Sequence, residues 1–190
     1  VPFSQSSQIS TIVGCVEALQ PRSVLDVGVG MGQYGFLLRT NLEHVGLFQV
    51  DGTEGRQAPR ERWQVRIDGI EGYAGYLTPV HEWAYNRVTV GDALQVLPTI
   101  AGGSYDLVIA IDILEHFETP QGLMFLEQCR RVARRMALVS TPKQFCEQHV
   151  PANPFEDHRS VWSCEELAAQ GYKRVLPNDE SWIAVWESMA

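Results

Sequence analysis

The sequence predicts an α/β fold: a doubly wound, mostly parallel seven-stranded sheet with an antiparallel last strand and helices on both faces. Three observations predict it. Strand-like and helix-like patterns alternate along most of the chain, and alternation implies parallel strands joined by crossover helices. The segment Tyr105-Asp-Leu-Val-Ile-Ala-Ile111 is almost continuously apolar, the mark of a central strand buried on both faces. The last two strand patterns, 172–176 and 181–186, are separated only by Pro177-Asn-Asp-Glu180. That connection is too short for a parallel crossover, so these strands form an antiparallel hairpin. The 190 residues fit a single domain spanning 1–190, with 41–62 as a loop insertion.

Taken in order, residues 8–20 place apolar side chains at 9, 12, 13, 16 and 19, the spacing of an amphipathic helix. Pro21 ends it, and a strand follows over 23–28. Glycines come next, then a helix to about Thr40. Val45 to Val50 reads as a short strand, and 51–62 as a polar, exposed loop. Residues 63–70 alternate and form the second main strand, ending at Glu71. A short helix is expected over 79–85, a third strand over 87–90, and a short helix over 93–100. After the central strand, 121–134 is helical, with an apolar stripe at 123, 126, 129 and 132–133. Arg130, Arg131, Arg134 and Arg135 fall in its last turns, where cations complement the helix dipole. Met136 to Val139 is a fifth strand, followed by a polar and aromatic loop to about Val161. Ser163 caps a helix with Glu166 completing a capping box, and Gly171 ends it.

Composition narrows the function classes. The chain is 45% hydrophobic and 20% charged, with a formal net charge of −8. This balance argues against broad electrostatic binding to nucleic acid or acidic lipid. No apolar run approaches the roughly 20 residues that cross a bilayer. The start, Val1-Pro-Phe-Ser-Gln-Ser-Ser7, lacks the basic and apolar regions of a signal peptide. Four cysteines with no C-x-x-C pair read as free thiols in a reducing cytoplasm. Five histidines show no H-E-x-x-H pattern, so no metal is expected.

The organising motif is Asp26-Val-Gly-Val-Gly-Met-Gly32 at the end of the first strand. Gly28, Gly30 and Gly32 admit positive φ and leave no side chain between backbone and ligand. The following helix start presents unpaired N–H groups. Gly30-Met-Gly-Gln-Tyr-Gly35 also satisfies the dinucleotide fingerprint G-x-G-x-x-G. That fingerprint requires an acid about 20 residues further on at a strand end. Glu54 instead lies in a polar, glycine-containing segment. With its acid before the glycines, the motif resembles motif I of the class I S-adenosylmethionine (SAM) methyltransferases. Asp112-Ile-Leu-Glu-His116, after the central strand, resembles the Asp-x-Leu-Glu-His motif of the branches that methylate small molecules, glycans or lipids.

In a doubly wound sheet the ligand sits at the carboxyl ends of the strands. The strand-end acids are Asp26, Glu71, Asp92 and Asp112, with Ala93 beside Asp92. The resemblance implies that Asp26 and the glycines hold the methionine end of SAM. It also implies that Glu71 accepts the ribose hydroxyls, that Asp92 and the backbone at Ala93 meet the adenine, and that Asp112 borders cofactor and acceptor. His116, whose unperturbed pKa is about 6.5, can accept a proton near neutral pH. A second cluster, 148–162, places Glu156, His158 and Trp162 near the acceptor, with His158 joining Asp112 and His116 as a catalytic candidate. The implied activity is methyl transfer to O or N of a small-molecule or glycan acceptor. Two alternatives stay open: a nicotinamide-dependent oxidoreductase, and a non-catalytic SAM-binding or partner-binding protein of the same fold. The oligomeric state is not legible.

Overall fold

The computed structural model describes residues 4–188. Val1 to Phe3, the start of the segment that reads as no signal peptide, lie outside the described residues, as do Met189 and Ala190.

Helix α1 (Ile9–Leu19) precedes strand β1 (Ser23–Val27), and α2 (Gln33–Leu42) follows the glycine turn. Then come β2 (Phe48–Asp51), β3 (Glu54–Gln57), β4 (Arg66–Glu71), α3 (Pro79–Ala84), β5 (Arg87–Val90) and α4 (Ala93–Val96). The rest is β6 (Tyr105–Ile111), α5 (Thr119–Val132), β7 (Ala133–Pro142), α6 (Cys164–Ala169), β8 (Arg174–Leu176) and β9 (Ser181–Glu187).

The main sheet has seven strands in the order β5-β4-β1-β6-β7-β9-β8. The first five are parallel, while β9 runs antiparallel to both β7 and β8. This is the architecture the alternation and the short final connection predict. The chain moves outward from β1 to β4 and β5, then crosses back to lay β6 on the other side of β1. The strand order therefore reverses between β1 and β6, and the crevice above their carboxyl ends is where such sheets bind ligands.

Side-chain alternation splits the core into two layers. Val24, Leu107, Ile109 and Ile111 face one side with Ile12 and Val16 of α1, Leu38 of α2 and Ala84 of α3. Leu25, Val27, Val108 and Ala110 face the other with Phe125, Leu126 and Cys129 of α5 and Leu167 of α6. The period-two switch along each strand thus buries both faces. Arg39 of α2 is fully buried, donating to the carbonyls of Ala84 (2.9 Å) and Val65 (2.7 Å) and to Asn86 Oδ1 (2.8 Å). It also pairs with Glu43 at 3.5 Å.

Two expectations are corrected. Segment 41–62 is not simply a loop: α2 runs into it, and β2 and β3 pair as an antiparallel hairpin. Gly52, at φ +60°, takes the first of the two turn positions, where glycine is suited to the left-handed region. Its strands are short and mostly exposed, so no alternation marks them. Arg134 and Arg135 lie on β7, not on a helix, because α5 stops at Val132 and the chain enters the strand at once. Arg134 reaches the buried carboxylate of Asp106. Among the described residues no helix is long and apolar enough to cross a membrane.

Candidate functional site

The glycine turn extends β1. Gly28 and Val29 donate to the carbonyl of Ile70 at 2.8 and 3.1 Å, tying the turn to the end of β4. Gly28, Gly30 and Gly32 have φ of +79°, +52° and +89°. A Cβ on Gly28 would lie 2.0 Å from Ile113 Cδ1. Gly30 is held from two sides. Its N–H donates to Glu71 Oε2 at 2.9 Å, and its carbonyl accepts from His81 Nε2 at 3.0 Å. The N–H of Thr78 donates to His81 Nδ1 at 2.9 Å, so the neutral ring carries its proton on Nε2, facing Gly30. Glu71 Oε1 accepts the N–H of Tyr73 at 2.9 Å. Burial pushes the Glu71 carboxyl up, while the Tyr73 and Gly30 N–H groups oppose the shift.

Asp26 sits behind this turn rather than on the cleft surface. It is buried, and Tyr85 Oη donates to its Oδ2 at 2.6 Å. The same hydroxyl accepts the N–H of Gly35 at 3.0 Å, linking β1, α2 and the end of α3. Burial raises the Asp26 carboxyl to about 7; the Tyr85 hydrogen bond opposes this and the Glu71 charge adds to it.

The cleft lies over the carboxyl ends of β1, β4 and β6. Gly28, Gly30, Glu71, Asp92, Ala93, Asp112 and His116 all line it; Asp26, Gly32 and His158 do not. Gly32 instead starts α2 as its N-cap. Asp92 caps α4, with Oδ1 accepting from Leu94 N–H at 2.8 Å. Asp112 holds a left-handed φ of +53° just past β6. Its two oxygens accept from Ser140 Oγ (2.8 Å) and Gln8 Nε2 (2.6 Å), and burial pushes its carboxyl up. A non-glycine residue in this conformation is strained and persists because neighbours fix it. Sequence reasoning missed Gln33, Tyr34, Tyr76, Phe155 and Arg159, which also line the cleft. Gln33 Oε1 is buried without a hydrogen-bond partner among the described residues, and the buried Tyr34 hydroxyl lies beside Ser4.

Beyond Asp112 the chain turns through Leu114–His116. Glu115 is buried, and both burial and the neighbouring Asp112 charge push its carboxyl well above the usual carboxylate range. Burial lowers His116, against a hydrogen bond to the Asp157 carbonyl. His158 lies in the adjoining hollow that Asp112, Glu115 and His116 also line. Its ring centroid is 4.9 Å from that of His116. Of the other 148–162 candidates, Glu156 lines the main cleft, while Trp162 is buried in the core and donates to Ser160 Oγ at 2.8 Å.

Solved structures share this architecture over nearly the whole chain. DhpI, crystallised with S-adenosylhomocysteine, aligns over 95% of this chain and 83% of its own, with TM-score 0.64 and 14% identity. The PH0226 protein from Pyrococcus horikoshii OT3 aligns over 96% and 90%, with TM-score 0.63 and 18% identity. Magnesium protoporphyrin IX methyltransferase (ChlM) from Synechocystis PCC 6803, with bound SAM, aligns over 94% and 76%, with TM-score 0.57 and 17% identity. The chain has the methyltransferase fold. No protein-family model and no curated protein matches the sequence.

The cleft of this methyltransferase fold is acidic. Glu71, Asp92, Asp112 and Glu156 line it against one guanidinium, Arg159, and the His116 imidazole. Such a lining favours a ligand carrying positive charge and disfavours a pyrophosphate. Gln33 and Tyr34 add polar side chains to that lining, so the residues present fit SAM.

Proposed function

We propose that the chain is a class I SAM-dependent methyltransferase acting on O or N of a small-molecule acceptor, including sugar-containing ones. The observation that carries this reading is the hydrogen bond from Gly30 N–H to Glu71. In a dinucleotide site the glycine-loop N–H groups face a pyrophosphate. Here the Gly30 N–H is already engaged by a carboxylate, which weighs against the nicotinamide alternative.

Gly28 and Gly30 let the backbone approach the cofactor, and Tyr34 and Gln33 meet its polar amino-acid end. Asp26 acts through Tyr85, as a positioning residue that fixes the turn. Glu71 takes the ribose, and Asp92 with the Ala93 backbone takes the adenine. When bound, SAM supplies an already electrophilic methyl group. The protein's tasks are therefore to align the acceptor, exclude water and handle a proton. Asp112, His116 and His158 stand together on the acceptor side, with Phe155 and Arg159 also lining the cleft. Polar and aromatic groups there suit a small hydroxylated molecule, the acidic net charge weighs against a nucleic-acid acceptor, and the free thiols support a cytoplasmic setting. Incubation with SAM and a panel of hydroxyl and amine acceptors tests this reading. S-adenosylhomocysteine formed in an acceptor-dependent way supports it. Cofactor binding without turnover across the panel favours the non-catalytic alternative.

A further inference from the structure

Lack of metal-ligand spacing in the sequence predicts no metal, yet the fold gathers three ligand groups that are distant or unpatterned in the chain. One ligand atom from each of Glu115, His116 and His158 lies within 4.8 Å of the other two. Glu115 is 3% exposed; its Oε2 makes no close hydrogen bond among the described residues, with the Thr141 hydroxyl acting on its carboxyl. A buried carboxyl group with so little hydrogen bonding is costly to ionise and leaves room for a compensating cation.

The two histidines are held alike, each through Nδ1 by a backbone carbonyl. His116 Nδ1 lies 3.2 Å from the carbonyl of Asp157, and His158 Nδ1 lies 2.5 Å from the carbonyl of Cys146. A carbonyl only accepts, so each Nδ1 carries the proton and each Nε2 keeps its lone pair. Backbone carbonyls holding the far nitrogen are the usual support for metal-binding imidazoles. The backbone carbonyl of Glu115 accepts the N–H groups of Arg159 (2.8 Å) and Ser160 (3.1 Å), which ties the His158 segment to the Glu115 turn. The cluster stands where the main cleft and its side hollow meet, since Asp112 and His116 line both.

We infer that Glu115, His116 and His158 form a divalent-cation site at the acceptor end of the cleft. Two imidazoles and one carboxylate suit a first-row transition ion such as Mn²⁺, Co²⁺ or Zn²⁺ better than Mg²⁺, which favours all-oxygen sites. Three protein ligands leave positions open for an acceptor oxygen. Resting on the methyltransferase reading, the inference narrows the acceptor to a hydroxyl compound, because a bound cation lowers the pKa of a coordinated hydroxyl. The acceptor oxygen loses its proton to solvent and forms the new O–CH₃ bond. The S–CH₃ bond breaks with its electron pair staying on sulfur, so the charges balance. His116 then serves as a ligand rather than as the base.

Calorimetric and visible-absorption titration of EDTA-stripped full-length protein with Co²⁺ tests the site. One ion per chain is expected. His158→Ala and Glu115→Gln should each weaken Co²⁺ by at least about tenfold, since even outer-shell losses cost that much. His149→Ala, outside the cluster, should leave it unchanged. If Glu115→Gln fails to fold, His158→Ala decides, because the described hydrogen bond of that ring is to a loop carbonyl alone. No Co²⁺ binding, or equal binding by wild type and His158→Ala, overturns the site. S-adenosylhomocysteine titrated into the same samples separates the two claims. Its binding without Co²⁺ binding refutes the metal site alone, and failure of both refutes the reading beneath it.

Discussion

Replacing Tyr85 by Phe tests how the glycine turn is held. The hydroxyl donates to Asp26 Oδ2 and accepts from Gly35 N–H, at 2.6 and 3.0 Å, in a buried setting. Its loss leaves two buried polar groups without partners, each worth about 1–3 kcal/mol. The expected destabilisation at about pH 8.5 is therefore about 2–6 kcal/mol. The sign with pH follows from Asp26. Its folded pKa of about 7 is raised above the value of about 4 in an unfolded chain. Between these values the folded state holds the extra proton, so this group's contribution to stability falls as pH rises and levels off above about 7. Tyr85 stabilises the charged form, so Tyr85→Phe moves the folded pKa higher and prolongs the fall. The gap between variant and wild type must then widen with pH. Urea unfolding followed by circular dichroism at about pH 5.5, 7 and 8.5 measures it. A variant within about 0.5 kcal/mol of wild type at every pH, or a gap that narrows as pH rises, refutes the reasoning.

Other expectations concern the cofactor loop and the core. Gly30→Val puts a β-branched side chain at φ +52° on the cleft wall; it should abolish S-adenosylhomocysteine binding while the far-ultraviolet spectrum stays native, and unchanged affinity in calorimetry would count against the loop assignment. Glu71→Gln keeps one acceptor but faces an NH₂ toward a backbone donor, Gly30 or Tyr73; about 1–3 kcal/mol of stability should be lost in denaturant titration, with weaker cofactor binding. Arg39→Ala takes the guanidinium from three acceptors and from the buried Glu43, which keeps only backbone N–H donors from Gln64 and Val65; a loss of about 3–5 kcal/mol is expected in urea unfolding, and a loss below about 1 kcal/mol would show that the Arg39 network is dispensable.

Much of the scaffold was legible because burial on both faces leaves its trace in residue type. β6 reads as an apolar run, and the Pro177–Glu180 connection is short enough to exclude a crossover. Glu71 was legible by position: it ends β4, whereas its competitor Asp68 lies inside the strand and accepts from Tyr105 Oη at 2.8 Å. The supports of the loop were not legible. His81 reaches Gly30 from 51 residues away, Tyr85 reaches Asp26 from 59, and Gln8 reaches Asp112 from 104. Local periodicity carries no record of such contacts, and His81 read alone is a residue in a short helix. Asp26 was legible as an acid before glycines, but not as one buried behind them. Of the β2–β3 hairpin the first strand was legible as the short run 45–50, while β3 escaped because an exposed strand needs no alternation. His158 was singled out for its loop, while its meeting with Glu115 and His116 depends on tertiary folding across roughly forty residues.

The central claim is that the cleft is built for SAM and not for a dinucleotide. Calorimetric titration of the wild-type chain with S-adenosylhomocysteine and, separately, with NADH tests it most directly. The account predicts one S-adenosylhomocysteine site per chain, lost in Gly30→Val, and no heat of binding with NADH. Saturable NADH binding with no response to S-adenosylhomocysteine would contradict it.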